Sequence, residues 1–370
     1  MPAGGGRVYA AVSIDAFSLR PMPSPSPYSI QRLNDGDEAV WDAFLDTRGE
    51  ATLCHRARWR RLIEDQFGHQ TIYLYATGGA GEVLGVLPLV RLKSRLFGDY
   101  MVSMPYMNYG GAIGLTPDIV RALMQEASRL GASLGISHIE FRDTQHYAEG
   151  WTVRTDKVVM LLDLPGTPEA LWDGFTPKLR AQVRRPQREQ TEVAHGGIEL
   201  LPQFYRVFAH NMRDLGTPVY GERFFAAILA AFPQSARITV VRHAHQPVAA
   251  AFTLGHRERL EIPWASSLRD YNPLGVNMLL YWEVLRRAIE DGYRTFDFGR
   301  SSTDSGTFRF KKQWGAQPQQ LYWHYWLAAG QPLPQLTPSS PKYRLAISAW
   351  KRLPLFVANR LGPHIVKNLP

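Results

Sequence analysis

A cluster of cations on one short stretch of the chain could bind phosphate groups. Lys178, Arg180, Arg184 and Arg185 are spaced to wind around one or two turns of a helix, and Arg180 and Arg184 share a face because they are four residues apart. Arginine suits phosphate because its planar guanidinium donates two parallel hydrogen bonds to the oxygens. The alternative interpretation is an ordinary solvated basic face. Pro186 is expected to end or kink the helix.

A carboxylate and a guanidinium flank a glycine just after a predicted buried strand. The segment TFDFGR places Asp297 and Arg300 on either side of Gly299, and loops at strand ends are where α/β folds carry functional groups. Asp297 could act as a base or orient an acceptor amine. It could equally pair with Arg300 and hold the loop, and Arg300 could combine that structural role with a contact to substrate.

Several other chemistries are poorly supported by the residues present. Cys54 is the only cysteine, which excludes a cysteine-rich zinc site and an internal disulfide. The 11 histidines are scattered without the spacing of a metal site, so we expect no metal. The chain also lacks a Gly-x-Ser-x-Gly elbow, a Walker loop and a Gly-x-Gly-x-x-Gly turn.

The elements that must position these residues alternate between helix and strand in two similar halves. Each half reads as helices, a hairpin, a long helix and a buried strand, and HIEFRD and TFDFGR occupy equivalent places. An internal duplication of one α/β unit explains this order better than one continuous sheet. We predict a flexible Pro-rich leader over residues 1–27, a first domain over 28–165, a second over 166–330, and a linker with a basic tail over 331–370.

The charge of the chain is concentrated at its C-terminus. Lys plus Arg number 42 against 33 for Asp plus Glu, and residues 331–370 contain six Lys or Arg and no acidic residue. A basic, Trp-bearing tail broken by Pro354 could lie on a membrane surface as a short amphipathic segment. It could equally pack back on the domain with its cations solvated. Because the N-terminus is not a good signal peptide and no run of 18 apolar residues exists, we expect a cytoplasmic protein, at most touching the inner face of the membrane.

From residue 296 onward the sequence resembles a known family of transferases. The segment FDFGRSSTDSGTFRFKKQWGAQPQQLYWHYWL resembles the end of the FemAB acyl and peptidyl transferases, and most closely the FemAB-like proteins associated with exosortase/PEP-CTERM and exopolysaccharide loci. The segments PKLRAQVRRPQRE and NMRDLGTPVYGERFF match as well, as does the basic tail. The resemblance runs from about residue 40 to the C-terminus. It implies α/β tandem GNAT-like (acyl-CoA N-acyltransferase-like) domains, with mixed sheets flanked by helices and a cleft between them.

The resemblance also implies roles for particular residues. The family's Phe-Lys pair lines the site of acyl transfer and maps onto Phe310 and Lys311, where a cationic lysine could stabilise an oxyanion; an exposed Lys-Lys pair at a helix end is the alternative. The family's K-x-R helix, which contacts acceptor phosphates, maps onto Lys178 and Arg180. Tyr109 lies in a match to the family's YGG loop near the acceptor cleft, although its glycines could simply form a tight turn.

The loop after Gly216 faces the cleft in the resembling subgroup, so Tyr220 and Arg223 could contact substrate. A plain connector between two helices, with Tyr220 as a packing residue, is the other interpretation.

These observations predict an acyltransferase that moves an aminoacyl or acyl group onto an amine of a cell-envelope or exopolysaccharide precursor. The donor is expected to be aminoacyl-tRNA or acyl-CoA, with no tightly bound cofactor, and the acceptor a nucleotide- or lipid-linked glycan precursor, with no role for DNA. Because Gly275 stands alone where GNAT enzymes carry a glycine-rich pyrophosphate loop, a conventional CoA site is disfavoured. The alternatives are an acyl-CoA-dependent GNAT N-acyltransferase and a noncatalytic scaffold in exopolysaccharide assembly.

Overall fold

The computed structural model describes residues 28–147, 151–334 and 341–369 of the 370-residue chain. The predicted flexible leader over residues 1–27 and part of the predicted linker, residues 335–340, lie outside the described residues. The described chain folds into two mixed β-sheets flanked by helices, which confirms the predicted α/β fold class.

The first half of the chain supplies most of one sheet. Its elements, in chain order, are β1 (Tyr28–Arg32), α1 (Glu38–Asp46), α2 (Arg58–Phe67), β2 (Gln70–Gly78), β3 (Val83–Ser94), β4 (Gly98–Val102), β5 (Ile113–Gly114), α3 (Pro117–Ser133), β6 (His138–Asp143) and β7 (Thr152–Arg154).

The second half supplies the other sheet and the C-terminal helices. Its elements are β8 (Lys157–Asp163), α4 (Pro168–Asp173), α5 (Pro177–Gln187), β9 (Thr191–Gly196), α6 (Leu201–Leu215), α7 (Glu222–Ala231), β10 (Ala236–His243), β11 (Gln246–His256), β12 (Arg259–Ser267), α8 (Val276–Glu290), β13 (Thr295–Ser302), α9 (Gly306–Lys312), β14 (Gln317–Gln320), β15 (Tyr322–Leu327), α10 (Pro341–Trp350) and α11 (Leu355–Val366).

The local sequence explains where the functional helices begin. Thr176 caps α5 by accepting a hydrogen bond from the Leu179 amide at 3.3 Å, and Pro177 occupies the first helical position, where no amide hydrogen is needed. Ser305 caps α9 in the same way by accepting from the Phe308 amide at 3.1 Å.

The two sheets repeat one topology. β2, β3 and β4 are antiparallel neighbours, and after α3 the chain returns as β6, parallel to β4. β10, β11 and β12 are likewise antiparallel, and after α8 the chain returns as β13, parallel to β12. The equivalence of HIEFRD and TFDFGR in the sequence is thereby explained, because these segments are β6 and β13.

Strands are exchanged at the junction of the two sheets. The first sheet has the order β1-β2-β3-β4-β6-β15-β7, with β5 paired to β3, and the second has the order β14-β8-β13-β12-β11-β10-β9. The strand β8 comes from the end of the predicted first domain but lies in the second sheet, and β15 returns from the second half to the first sheet. The domain boundaries drawn from the sequence therefore stay a prediction.

One hydrophobic core joins the halves. It contains buried side chains of α2, β3 and β4 together with those of α6, α7 and β11. Aromatic rings meet across the junction: Trp59 and Phe232 have ring centroids 5.2 Å apart, and Phe67 and Phe224 5.0 Å apart. Burial of this apolar surface is the dominant force that holds the halves together.

The loop over residues 103–112 joins β4 to β5 and contacts the second half of the molecule near the strand ends. The amide of Ser103 donates to the Glu140 carbonyl at 2.8 Å, and the amide of Gly111 donates to the Arg142 carbonyl at 3.1 Å. The loop therefore fills the space where β4 and β6 diverge. Its middle residues, Asn108 and Tyr109, reach the second sheet.

Candidate active site

Two buried carboxylates lie where the parallel strands β12 and β13 separate. The ladder between these strands ends at the pair Glu261 and Asp297, although β12 continues to Ser267 and β13 to Ser302. Because the two residues are register partners in a parallel ladder, their side chains lie on the same face of the sheet. Both side chains are buried.

Residues from the first half donate hydrogen bonds to these carboxylates. The Tyr109 hydroxyl donates to Asp297 Oδ2, the Gly299 amide donates to Asp297 Oδ1 at 2.7 Å, and Asn108 Nδ2 donates to Glu261 Oε1 at 2.8 Å. Burial raises the pKa of Asp297, and burial together with the neighbouring Asp297 charge raises the pKa of Glu261. Asp297 therefore contacts Tyr109 of the other half. The alternative expectation is an ion pair between Asp297 and Arg300, and no such ion pair forms among the described residues.

Lys311 is buried beside the same strand. Its Nζ donates to the carbonyls of Gly299 at 3.0 Å and Arg300 at 2.8 Å, and burial lowers the pKa of this amine to about 8, with the Asp297 carboxylate opposing the shift. An ammonium group has three N–H donors, so one donor has no acceptor among the described residues. This geometry differs from an exposed Lys-Lys pair, because only Lys312 is exposed.

Gly299 allows these groups to converge. Its φ of +75° lies in the left-handed region, and a Cβ at this position would lie 3.0 Å from Asn108 Nδ2 and 4.0 Å from Lys311 Nζ. A side chain here would therefore press on the amide that binds Glu261.

Arg300 lines a cavity of about 400 Å³ at the junction of the two sheets, together with Arg142, Lys157, Trp323 and Tyr325. Its guanidinium lies 4.9 Å from the centre of the Trp323 ring, and that of Arg142 lies 4.7 Å from the same centre. The Arg300 side chain reaches solvent through the cavity. Its pKa is nevertheless lowered to about 10, mainly because the surrounding protein removes water from the guanidinium and secondarily because the Arg142 charge repels it.

Arg142 and Arg300 differ in their partners. Arg142 donates to Glu140 Oε1 at 2.8 Å and to the Met107 carbonyl at 2.6 Å, so its charge is compensated. Glu140 also accepts from the Tyr325 hydroxyl at 2.5 Å; although burial alone would raise the pKa of Glu140, Arg142 holds it below its usual value. Arg300 has no hydrogen-bond acceptor among the described residues, so its guanidinium faces the cavity without a hydrogen-bonded carboxylate.

Phe310 and Tyr220 lie at the edges of this group. The Phe310 ring packs 4.9 Å from Tyr281 and so supports α9. The Tyr220 ring lies 6.2 Å from Trp264, and burial raises the pKa of Tyr220 to about 12 while the charges of Arg142 and Arg300 oppose the rise. Tyr220 therefore combines aromatic packing with proximity to the arginine cavity.

The remaining predicted residues lie elsewhere. Arg223 is exposed in the first turn of α7. Lys178 and Arg184 are exposed on α5 and Arg180 is half-buried there, and the Arg184 guanidinium lies 5.1 Å from the centre of the Trp172 ring. The α5 helix packs beside α8. Pro186 is the second-last residue of α5, so the helix ends one residue after this proline, at Gln187. The structure thus brings together Asp297, Lys311, Arg300, Tyr109 and Tyr220, but places Arg223 and the α5 cations outside that group.

Several residues of the site were not predicted from the sequence. They are Glu261, Asn108, Glu140, Arg142 and Trp323. The repeat of HIEFRD and TFDFGR carried a usable signal, because it aligns Glu140 with Asp297. Nothing local marked Glu261, which appears as one polar residue in a buried strand.

Over the described ranges, no group of three or more His, Cys, Asp or Glu side chains could hold a metal ion. The charged groups of the site are instead carboxylates, a buried amine and guanidinium groups, which can transfer protons and bind anions.

Comparisons with known proteins agree with this architecture. Residues 177–312 match the model of the acetyltransferase (GNAT) domain. The fold is similar to the crystal structure of FemX, with a TM-score of 0.60 and 14% identity over 80% of this chain and 96% of that one. It is also similar to L-PGS from Bacillus licheniformis, with a TM-score of 0.53 and 16% identity over 86% of this chain and 98% of that one.

The fold is also similar to a tandem GNAT protein from the clavulanic acid biosynthesis pathway, with a TM-score of 0.50 and 13% identity over 83% of this chain and 100% of that one. No curated protein matches the sequence. The chain therefore has a tandem GNAT-like fold, its residues 177–312 match a GNAT acetyltransferase domain, and it is an acyltransferase by class.

Proposed function

We propose that the chain is a FemAB-type acyltransferase that transfers an aminoacyl or acyl group to an amine of a cell-envelope or exopolysaccharide precursor. The observation that carries the proposal is the buried Lys311 amine beside Asp297, at the point where β12 and β13 separate. Burying an amine costs free energy that hydrogen bonds and a nearby carboxylate offset, and ionisable groups with shifted pKa values concentrate at functional sites. The FemX-like fold supports this transferase type, and the sequence resemblance supports the exosortase/PEP-CTERM subgroup.

In the proposed reaction the acceptor amine attacks the carbonyl carbon of the donor ester directly. A C–N bond forms, the bond from carbon to the donor oxygen (sulfur, for a thioester) breaks, and Lys311 stabilises the oxyanion with its remaining N–H. Asp297 receives the amine proton through the Tyr109 hydroxyl, and this proton ends on the leaving group. No covalent enzyme intermediate is needed.

Arg300 is proposed to bind an anionic group of the acceptor. Its guanidinium lacks a described acceptor and lies in a cavity next to Arg142, so a carboxylate or phosphate there would compensate its charge. The Arg300 carbonyl accepts from Lys311 at 2.8 Å, so the residue that would hold the anion also contacts the proposed transfer lysine.

The α5 cations are proposed to bind phosphates farther from the transfer centre. Lys178 and Arg184 are exposed, and Arg180 and Arg184 share one helix face. Such a surface fits the nucleotide of a nucleotide-linked glycan precursor, or the backbone of a charged tRNA. Both substrates place the reaction in the cytoplasm or at the inner face of the membrane, and DNA has no part in it.

The donor decides between the proposal and its closest alternative, an acyl-CoA-dependent N-acyltransferase. The purified protein would be given a nucleotide-linked glycan precursor with either aminoacyl-tRNA or acetyl-CoA, and the product would be weighed by mass spectrometry. We expect transfer from aminoacyl-tRNA, lost in Lys311→Ala and kept in the control Lys312→Ala. Transfer from acetyl-CoA alone, with thermal stabilisation by CoA, would establish the alternative.

A noncatalytic scaffold in exopolysaccharide assembly predicts a different result. Neither donor would be consumed with any precursor, and Lys311→Ala would restore the phenotype of a deletion strain as well as the wild type does.

A further inference from the structure

The last two helices expose large apolar side chains. Leu345 and Phe356 are each 74% exposed and Leu361 is 46% exposed, so this short segment holds three of the eight exposed large apolar side chains found among the described residues. Single exposed apolar residues are common. Three on two consecutive helices concentrate exposed apolar surface at this end of the chain, and exposed apolar surface is a mark of interaction sites.

The last helix, α11, is held firmly against the body of the protein. In α11 the buried residues Ala358, Gly362 and Val366 recur every four positions and face inward. Gly362 packs so closely that a Cβ there would lie 2.8 Å from the Val219 amide nitrogen. The Lys367 carbonyl accepts from Tyr106 Oη at 2.6 Å. The exposed residues of α11 are therefore presented on a fixed surface and do not belong to a free arm.

Cations surround the apolar side chains. Lys351 and Arg352 are exposed in the turn between α10 and α11, and Arg360 is exposed on α11. Residues 341–369 contain six Lys or Arg and no Asp or Glu, so no acidic side chain of the segment offsets them. Phe356 and Arg360 are four residues apart and share the outer face of α11.

We infer that this C-terminal surface, formed by Leu345, Lys351, Arg352, Phe356, Arg360 and Leu361, docks the protein on an anionic lipid bilayer. Apolar side chains enter the boundary between headgroups and acyl chains, while the cations are attracted to the anionic headgroups. Within the described ranges no helix has the length and apolar character to cross a bilayer. The surface therefore lies on the membrane plane.

A bilayer accounts for both the cations and the apolar side chains of the C-terminal surface, whereas an acidic macromolecule accounts only for the cations. A nucleic acid would be held by the cations alone, with strong salt dependence and no use for Phe356 or Leu345. A bilayer uses the cations for attraction and the apolar side chains for insertion. The inference stands on the C-terminal helices and does not depend on the proposed transferase chemistry.

The test compares matched variants of the full chain for binding to vesicles. The double variant Arg352→Glu/Phe356→Ser changes one cation and one apolar side chain of the surface. The control Arg95→Glu/Leu96→Ser makes the same changes in the turn between β3 and β4, where Leu96 is 78% exposed. Cosedimentation is measured with vesicles of phosphatidylcholine alone and of phosphatidylcholine with phosphatidylglycerol, and thermal unfolding checks that each variant is folded.

We expect the wild type and the control to bind the phosphatidylglycerol vesicles, and the C-terminal variant to bind them about tenfold or more weakly. Binding to phosphatidylcholine alone should be weak, and raising the ionic strength from about 0.15 M to about 1 M should weaken binding without abolishing it. Absence of wild-type binding, or an equal loss in the control, would overturn the inference. So would a C-terminal variant that loses affinity for tRNA and keeps its affinity for vesicles.

Discussion

The charge of Lys311 should set the upper pH limit of activity. Burial lowers the pKa of this amine to about 8, so the ammonium form that stabilises an oxyanion is lost as the pH rises through that value. We expect kcat to fall about tenfold per pH unit above this point. In Lys311→Arg the guanidinium stays charged, so kcat is lower overall but no longer falls in this range.

The measurement is kcat against pH for the wild type, Lys311→Arg and the exposed control Lys312→Ala, which should follow the wild type. A wild-type profile that is flat through pH 8 would mean that Lys311 does not act as a cation in the reaction.

Removal of the Arg300 guanidinium should weaken acceptor binding while leaving stability intact. Because the side chain has no described acceptor and sits beside Arg142, Arg300→Gln relieves a repulsion and should not lower the unfolding temperature. We expect the KM for the acceptor to rise about tenfold or more with little change in kcat, since a charge-assisted hydrogen bond is lost.

The control is Arg294→Gln at the other end of β13, which removes an exposed arginine paired with Glu258 at 3.1 Å. A lower unfolding temperature without a change in KM would make Arg300 a structural residue.

Motifs in the sequence pointed to Asp297 and Lys311, which lie within recognisable segments. In the structure the two side chains interact electrostatically, and their roles in a reaction stay predictions. Glu261 and Arg142 could not be predicted, because their importance arises from a first-half loop that packs against a second-half strand. A contact such as Asn108 with Glu261 spans 153 positions and leaves no local pattern.

At the scale of elements, α11 should depend on its closest approach to the body. A methyl group at Gly362 would clash with the backbone of Val219, since an added Cβ would lie 2.8 Å from its nitrogen and 2.9 Å from its oxygen. We expect Gly362→Ala to lower the free energy of unfolding by about 1–3 kcal/mol and to expose the C-terminal helices to protease. Denaturant titration and limited proteolysis measure both effects.

The matched control is Gly49→Ala, where an added Cβ meets nothing within 4 Å. Equal protease resistance of α11 in both variants would contradict the packing of this helix on the body.

The order of helices and strands was predictable because each hairpin and each long helix has its own hydrophobic period. The two helices on either side of Pro354 were also predicted correctly. The exchange of β8 and β15 was not predicted. A single residue, Leu321, separates β14 in one sheet from β15 in the other, so the change of sheet is decided by the partner strands and by no feature of the connection itself.

For the whole molecule, the shared core predicts one cooperative unfolding transition. Trp59, Phe67, Phe224 and Phe232 bury rings across the junction, and β15 pairs with β6 of the other half. Neither half can lose its structure without exposing the core of the other. Far-ultraviolet and near-ultraviolet circular dichroism should therefore give coincident denaturation curves, and two separate transitions would contradict this account.

The central claim is that Lys311 serves the transfer of an acyl group to an envelope or exopolysaccharide precursor. The most direct test is mass spectrometry of the glycans of a deletion strain complemented with wild type, Lys311→Ala or Lys312→Ala. We predict a mass increment that the wild type and Lys312→Ala restore and Lys311→Ala does not, with a size that identifies the transferred group. Equal restoration by all three proteins would contradict the claim.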